Sequence, residues 1–556
     1  MPTSTRAPAA SADDATRWDA IVVGAGIAGL VAATDLAHRG HRVLVLEHNH
    51  QPGGLMSGMW RHGFYFDVGC QSFEDMGIVF PLLEQYGLAD LARFRRATYR
   101  IAMPGVDADV VSLDAVLRAF QRAHPASADA FARVFALHQR TSDLVRRLFR
   151  PDRVPYVRDG NPGIGGWALS ALEGARSPGE VLRRARDLRT LMLGDAAAWY
   201  ERELPPSSAR DLLAYCGYTR MNVFVASAFW HLWAHDYWYP EGGLQPWLDR
   251  WVQRLEGRGV RFLFKRTVAS LERKDDRVAA VVTRSGERFE AREVVYAGDY
   301  RQAVHRLLGP DAFPAGEVRR LERAHHSDAL VSVYLGLDLP PEELRERLRT
   351  SHVFYFPDDG CRTAIEPADP DAHRRAFLEV TSHASRDPAL APPGRSAVVV
   401  QAFTRHDWLQ GWATGLSGDP GRAEREVPRP AEYRRLKRRV ADDLVARLEG
   451  LLPGVAERIV YRDVGAPPST VRFTRNAFGG SCGFELNWKN FPFRNPLAHV
   501  ETPLENLHMA GHFTVWPGAV PTAALSGKIA ALRAHERLAR GRAAPADSSG
   551  EVARVA

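Results

Sequence analysis

"DAIVVGAGIAGLVAATDLAHRGHRVLVLEHN" (residues 19–49) is the stretch from which the fold is read. The apolar run Ala20 to Val23 reads as a buried strand, Leu30 to His38 as a helix stopped by Gly40, and "RVLVLE" (42–47) as the next strand. Together they make a complete βαβ unit. Gly24, Gly26 and Gly29 stand at the turn as G-x-G-x-x-G. The first allows the tight turn, the second lets backbone approach a pyrophosphate, and the third lets the helix pack close, while the helix N-terminus faces the negative charge. Glu47 ends the second strand, roughly 20 residues after the glycines, where a carboxylate can accept hydrogen bonds from ribose hydroxyls. The strand and helix around the glycines give the motif its weight. "GIGGWALSALEG" (163–174) has no apolar strand before it, so a separate NAD(P)H domain is not expected.

Outward from this unit, 556 residues predict roughly two to four structural units. A hydrophobic content of 45% with 25% charged residues is that of a soluble globular protein. The net charge of +7 comes from 73 basic residues, of which all but Lys265, Lys274, Lys437, Lys489 and Lys528 are Arg. They are spread evenly, and "RRLKRR" (434–439) lies on a helical pattern beside Asp442, Asp443 and Glu449, so no nucleic-acid partner is expected. Cys70, Cys216, Cys361 and Cys482 form no CxxC pair, which argues against a disulfide framework or a zinc site and suits a reducing compartment. The N-terminal stretch "MPTSTRAPAASADDATRW" lacks an apolar h-region, and the uncharged run Ala20 to Thr34 is too short to span a bilayer. A cytoplasmic location is expected.

Three further segments make a resemblance specific. "HNHQPGGLMSGMWRHGFYFDVGCQSF" (48–73) places a second glycine pair and a returning strand soon after Glu47. "TVASLERKDDRVAAVVTRSGERFEAREVVYAGDY" (267–300) reads as strands joined by charged turns, and "ENLHMAGHFTVWPGAVPTAALSG" (505–527) as strand, glycine and proline turn, then helix. Together they resemble the FAD-dependent amine oxidase superfamily, and within it the phytoene desaturase and carotenoid isomerase branch. The resemblance implies FAD, and an α/β fold in which a discontinuous Rossmann-type FAD-binding domain (19–104, 241–304 and 455–540) is interleaved with other parts. Those parts are a mainly helical substrate or lid region (105–240) and an α+β substrate domain (305–454), with a disordered leader (1–18) and tail (541–556) at the ends.

The resemblance also implies FAD contacts at Gly53, Gly54, Leu55, Val268, Gly511, His512, Gly518, Val520 and Pro521. Pro517 to Pro521 would turn the chain so that a helix starting near Thr522 aims its N-terminus at the isoalloxazine ring. Two residues depart from the family pattern. Leu55 stands where a basic or small polar residue is usual, and His512 where an acidic residue commonly holds the ribityl hydroxyls.

"VFVASAFWHLWAHDYWYP" (223–240) carries seven aromatic residues. As one helix it would align Phe229, Trp233 and Tyr237 in one column and Trp230, Ala234 and Trp238 in the next. Such a helix is either core or the wall of an elongated apolar tunnel, and the resemblance favours the tunnel. His231 and His235 share a face at metal-ligand spacing, but no Glu follows His231 and no matched ligands occur elsewhere, so no metal is expected.

Asp67, Glu485 and His512 are the candidate catalytic groups, with structural hydrogen bonding the preferred reading of the two carboxylates. Cys70 and Cys482 are read as small apolar residues. The activity implied is desaturation of carbon–carbon bonds in a long apolar polyene by hydride transfer to flavin, with oxygen or a quinone as diffusing electron acceptor. The alternatives are a polyene cis–trans isomerase using reduced FAD and a tailoring oxidase on a polyketide-derived polyene. An amine oxidase and a non-catalytic lipid-binding protein like the Rab escort proteins are kept below these. Peripheral membrane contact follows from where such substrates dissolve, although no basic amphipathic helix stands out.

Overall fold

The computed structural model describes residues 17–543 except 159–160, 162, 176, 217, 359, 362–364, 416–426, 492–493 and 517. Most of the leader and tail, and Pro517, therefore lie outside the described residues. Arg17 and Trp18, assigned to the leader from sequence, are the first residues of the strand Arg17–Val23. The Arg42 guanidinium sits over the Trp18 ring at 5.3 Å and helps hold that extension in place.

The first of two large sheets is seven-stranded, and Arg17–Val23 lies at its centre. It pairs in parallel with Val43–Leu46 on one side and Arg288–Tyr296 on the other. Arg261–Leu263 extends one edge in parallel, and Leu507–Met509 pairs in parallel with Arg288–Tyr296. Strands from the middle and the far end of the chain thus complete the unit begun at Arg17. The apolar runs are continuous because both faces are covered, Ala20, Val22, Val43 and Val45 by helices, and Ile21, Val23, Leu44 and Leu46 by the antiparallel strands Val268–Lys274 and Arg277–Thr283.

The helix Ile27–His38 follows the glycine turn directly. A Cβ on Gly29 would fall 1.9 Å from the Gly24 carbonyl oxygen, so only glycine permits this approach. The closing helix Val520–Ala543 crosses it through Gly527, where a Cβ would fall 2.1 Å from the Ala28 carbonyl oxygen. Next to that crossing, buried Lys528 reaches the Asp35 carboxylate at 2.6 Å and the Tyr86 hydroxyl at 2.7 Å. Burial would push the Asp35 carboxyl up, but Lys528, Arg39 and Tyr86 outweigh it and hold it below its ordinary value.

The second large sheet is built mainly of antiparallel strands, in the order Ile459–Gly465, Ala329–Leu337, Ser396–Thr404, Leu378–Thr381, His352–Tyr355, Tyr99–Met103, Val106–Asp109. Its one parallel pair joins His352–Tyr355 to Tyr99–Met103. Helices between Leu113 and His235 form a third layer.

The aromatic stretch is not one helix. Val223–His235 is helical, capped by the Asn222 side chain accepting from the Val225 amide, and Asp236 breaks it with φ −147°. Asp236 accepts from the Met76 amide and the Trp238 indole, and Tyr237–Pro240 becomes a strand between Phe73–Glu74 and Phe94–Arg96. Tertiary strand pairing overrides the helical spacing at Tyr237 and Trp238.

Candidate functional site

One cavity of about 1440 Å³ runs between the two sheets and into the helical layer. Gly24, Gly26, Glu47, Gly53, Gly54, Leu55, Val268, Gly511, His512 and Val520 line it, from segments at the start, middle and end of the chain. They converge because their strands share one sheet. The Glu47 amide donates to Leu263 and its carbonyl accepts from Arg266, which brings Val268 to the end of the second strand.

The geometry at this end fits FAD. A Cβ on Gly26 would meet nothing within 4 Å, so open space stands at the N-terminus of Ile27–His38, as a pyrophosphate requires. The closing helix brings its N-terminus to the same cavity at Val520, Thr522 and Ala523, two residues earlier in the chain than its predicted start near Thr522. Two helix dipoles therefore present positive ends to one space. Glu47 accepts the Ala25 amide at 2.7 Å on one carboxylate oxygen and the Asn49 amide at 2.7 Å on the other. Burial pushes its carboxyl up against those two amides, and the remaining lone pairs can take hydroxyls. Gly511, at φ +108°, donates its amide to Ser526 at 2.8 Å.

Gly29, Gly518 and Pro521 lie behind this wall. Gly518 packs on Leu486 and Cys482, and Pro521 is the second residue of the closing helix.

Beyond the cradle the cavity turns apolar. Phe224, Val225, Ala228, Phe229, Leu232 and Trp233 form the stripe of the aromatic helix that faces it, and Tyr237 joins them from the following strand. Phe229 and Trp233 stack at 5.3 Å. Trp230 is on the opposite side of the helix, buried against Phe120 and Phe135. Trp238 packs against Phe80 beneath Arg96. Neither of these two lines the cavity, so the first aromatic column meets it and the second belongs to the core. His231 bonds the Ser142 hydroxyl at 2.7 Å.

Of the three candidate catalytic groups, His512 alone lines the cavity. Burial pushes its imidazole down to about 4, leaving it neutral at physiological pH, and among the described residues its ring nitrogens meet no hydrogen-bond partner. Asp67 is buried and accepts from Tyr65 and Tyr239, each at 2.6 Å; burial still lifts it to about 7. Glu485 pairs with Arg220 at 2.7 Å. Both carboxylates are thus engaged by neighbouring side chains. Cys70 and Cys482 do line the cavity, and burial raises both thiols, Cys482 to about 11.

Five cavity-lining carboxyls escaped the sequence reading, Glu74, Asp249, Asp299, Glu379 and Asp463, and burial pushes Glu74 and Glu379 each up to about 7. Glu74 accepts the Tyr237 hydroxyl. For Glu379 a signal existed: it is the lone charge in the otherwise apolar run "AFLEV" (376–380).

A family model described as flavin containing amine oxidoreductase matches residues 27–427. The chain belongs to that family. The family is flavin containing, which implies FAD, and the cradle described above fits that cofactor. The chain is similar to a phytoene dehydrogenase of Streptomyces griseus, 27% identical, over 95% of this chain and 98% of that one. It is likewise similar to prolycopene isomerase 2 of an Oncidium hybrid cultivar, 26% identical, over 84% of this chain and 75% of that one. Among solved structures, cyclohexylamine oxidase from Brevibacterium oxydans shares the fold with a TM-score of 0.59 at 14% identity, over 94% of this chain and all of the other. This flavin oxidoreductase is therefore an enzyme of the amine oxidoreductase family, similar to relatives named as a dehydrogenase and an isomerase. No helix among its described residues is long and apolar enough to cross a membrane.

Proposed function

We propose that this flavin oxidoreductase dehydrogenates carbon–carbon bonds of a long apolar polyene. The observation that carries this reading is the continuity of the cavity, one space that begins among the dinucleotide glycines and ends among Leu148, Phe149, Trp167 and Met192. FAD, when bound, would supply the acceptor for one hydride, that is, for two electrons and the proton that travels with them. The chain's own part is to hold the polyene along the stripe Val225, Phe229 and Leu232, keep water out, and receive a proton. His512 suits the last of these roles, because its imidazole is neutral, unpartnered among the described residues and on the cavity wall. Hydride loss leaves the adjacent carbon–hydrogen bond acidic, so a weak base suffices. His512→Ala is expected to retain FAD while turnover falls about 100-fold; loss of flavin from this variant would make His512 a structural contact.

The isomerase reading keeps support from the prolycopene isomerase relative, at nearly the same identity as the dehydrogenase. The deciding experiment is anaerobic incubation of the FAD-loaded protein with linear polyenes, following product mass and flavin absorbance together. Two hydrogens lost with bleached flavin supports dehydrogenation, and unchanged mass with altered double-bond geometry supports isomerisation. No product from any polyene overturns both. Reoxidation is proposed to use oxygen or a quinone.

The substrate is proposed to arrive from a membrane surface at the helices Ile164–Leu169 and Pro178–Leu193. Trp167, Leu188 and Met192 face the cavity, while Leu169 and Leu182 are 70% and 73% exposed beside exposed Arg183, Arg186 and Arg189. Co-sedimentation with anionic but not neutral vesicles is expected, and sedimentation with neither would remove this step.

A further inference from the structure

The wall of the cavity opposite the aromatic helix is one face of the antiparallel sheet. Along each strand alternate side chains reach the cavity: Leu330, Ser332 and Tyr334 on one, Gln401 and Phe403 on the next. Ser332 is in register with Gln401, Gln401 with Glu379, and Glu379 with Phe354. Directly paired side chains on one face of a sheet are about 5 Å apart, so Ser332, Gln401 and Glu379 form a polar row across an otherwise apolar wall.

The first two members satisfy each other: the Gln401 amide donates to the Ser332 hydroxyl at 2.9 Å and reaches the Gly69 carbonyl at 3.4 Å. Glu379 has no such partner. Among the described residues it makes neither hydrogen bond nor ion pair, although Phe354 beside it packs on Tyr99 at 5.5 Å and Trp233 at 4.8 Å. The ionisable groups close enough to feel its charge, Tyr99 and Cys216, are themselves neutral, their acidities weakened by burial. Burial also pushes the Glu379 carboxyl up to about 7, as expected where no cation compensates. Leaving a carboxyl unpartnered against aromatic rings is costly unless something that enters the cavity completes it.

We infer that Glu379 recognises a hydroxyl on the substrate, so that the polyene taken by this cavity is a polyene alcohol and not a pure hydrocarbon. A carboxyl, whether protonated or ionised, can accept a hydroxyl hydrogen bond, and the protonated form can return one. A hydrocarbon can do neither. The inference rests on the polyene reading of the cavity, and it adds a polar substituent lying against the sheet wall at Glu379.

The test uses two fluorescent probes of one length, an octadecatetraenol and the corresponding octadecatetraene, titrated anaerobically into the FAD-loaded protein with binding read from tetraene emission. The wild-type protein is expected to prefer the alcohol about tenfold, the worth of one hydrogen bond of about 1.4 kcal/mol. Glu379→Leu is expected to abolish or reverse that preference, and Glu379→Gln, which still offers a hydrogen-bond acceptor, to keep part of it. Flavin absorbance and thermal unfolding of each variant establish that it is folded and loaded. Equal binding of both probes, unaltered in Glu379→Leu, would overturn the inference while leaving the polyene reading intact. If neither probe bound the loaded wild-type protein, the polyene reading itself would fall and the hydroxyl contact with it.

Discussion

At the dinucleotide end of the cavity the wall is largely backbone: Gly24, Gly26, Gly53, Gly54 and Gly511, with two helix N-termini behind them. At the chamber end the wall is side chain, supplied by the aromatic helix, the two outer helices and one face of the antiparallel sheet. On the proposed reading, the first end takes a fixed ligand, with Cβ atoms absent where phosphate oxygens would approach. On the same reading, the second would recognise by shape and by a few polar groups, so its chemistry could change without disturbing the first. A backbone site tolerates almost no substitution; a side-chain site is tuned by substitution.

The sharpest division expected of this comparison is between two neighbouring glycines. In Gly29→Ala the new methyl would lie 1.9 Å from the Gly24 carbonyl oxygen, so no native flavoprotein is expected, by circular dichroism or by flavin content. Next in size is Lys528→Met. It takes the buried ammonium from the Asp35 carboxylate where the closing helix crosses the first helix, leaving Arg39 and Tyr86 as its partners, and a loss of about 3 kcal/mol in denaturant unfolding is expected. Adding Asp35→Leu should return part of that loss, since it removes the under-compensated buried carboxylate while giving up its contacts with Arg39 and Tyr86.

Gly26→Ala is the milder partner of Gly29→Ala. Its methyl points into open space, so apo stability should be unchanged while FAD binds about 100-fold more weakly, roughly 2.7 kcal/mol. If both glycine variants merely unfolded, the distinction between a ligand-facing and a packing glycine would collapse.

The same division explains what the sequence disclosed. The dinucleotide end is built from short local signals, a glycine triplet between strand and helix, an acidic strand end, and a second glycine pair, and each carries its own geometry within about 20 residues. His512 was legible for the same reason, as a departure inside a recognisable segment. The chamber has no such signal. Phe229 and Trp230 are adjacent aromatics on one helix, yet one faces the cavity and the other the core, because which side is inside depends on where the helices beginning at Leu113 and Ala128 pack. Tyr237 and Trp238 continue the helical spacing but pair as a strand, since Asp236 is held by Met76 from a distant part of the chain. Glu379 reaches the cavity only through strand register, which sequence alternation suggests but cannot place.

Ala228→Phe probes the chamber with the smallest expected effect. Ala228 lies on the cavity stripe between Val225 and Leu232, so the added ring enters open space and does not overpack the core. Its backbone is mid-helix, a conformation phenylalanine adopts. Binding of a long polyene should therefore weaken about tenfold, roughly 1.4 kcal/mol, with FAD affinity and unfolding midpoint unchanged. The two titrations must be made on the same preparation. A parallel fall in FAD affinity would mean that the chamber and the cradle are not independent, because filling one would then disturb the other. Unaltered polyene binding with bound FAD would mean that the polyene does not lie along this helix, and the opposite wall, with Glu379, would become its principal contact.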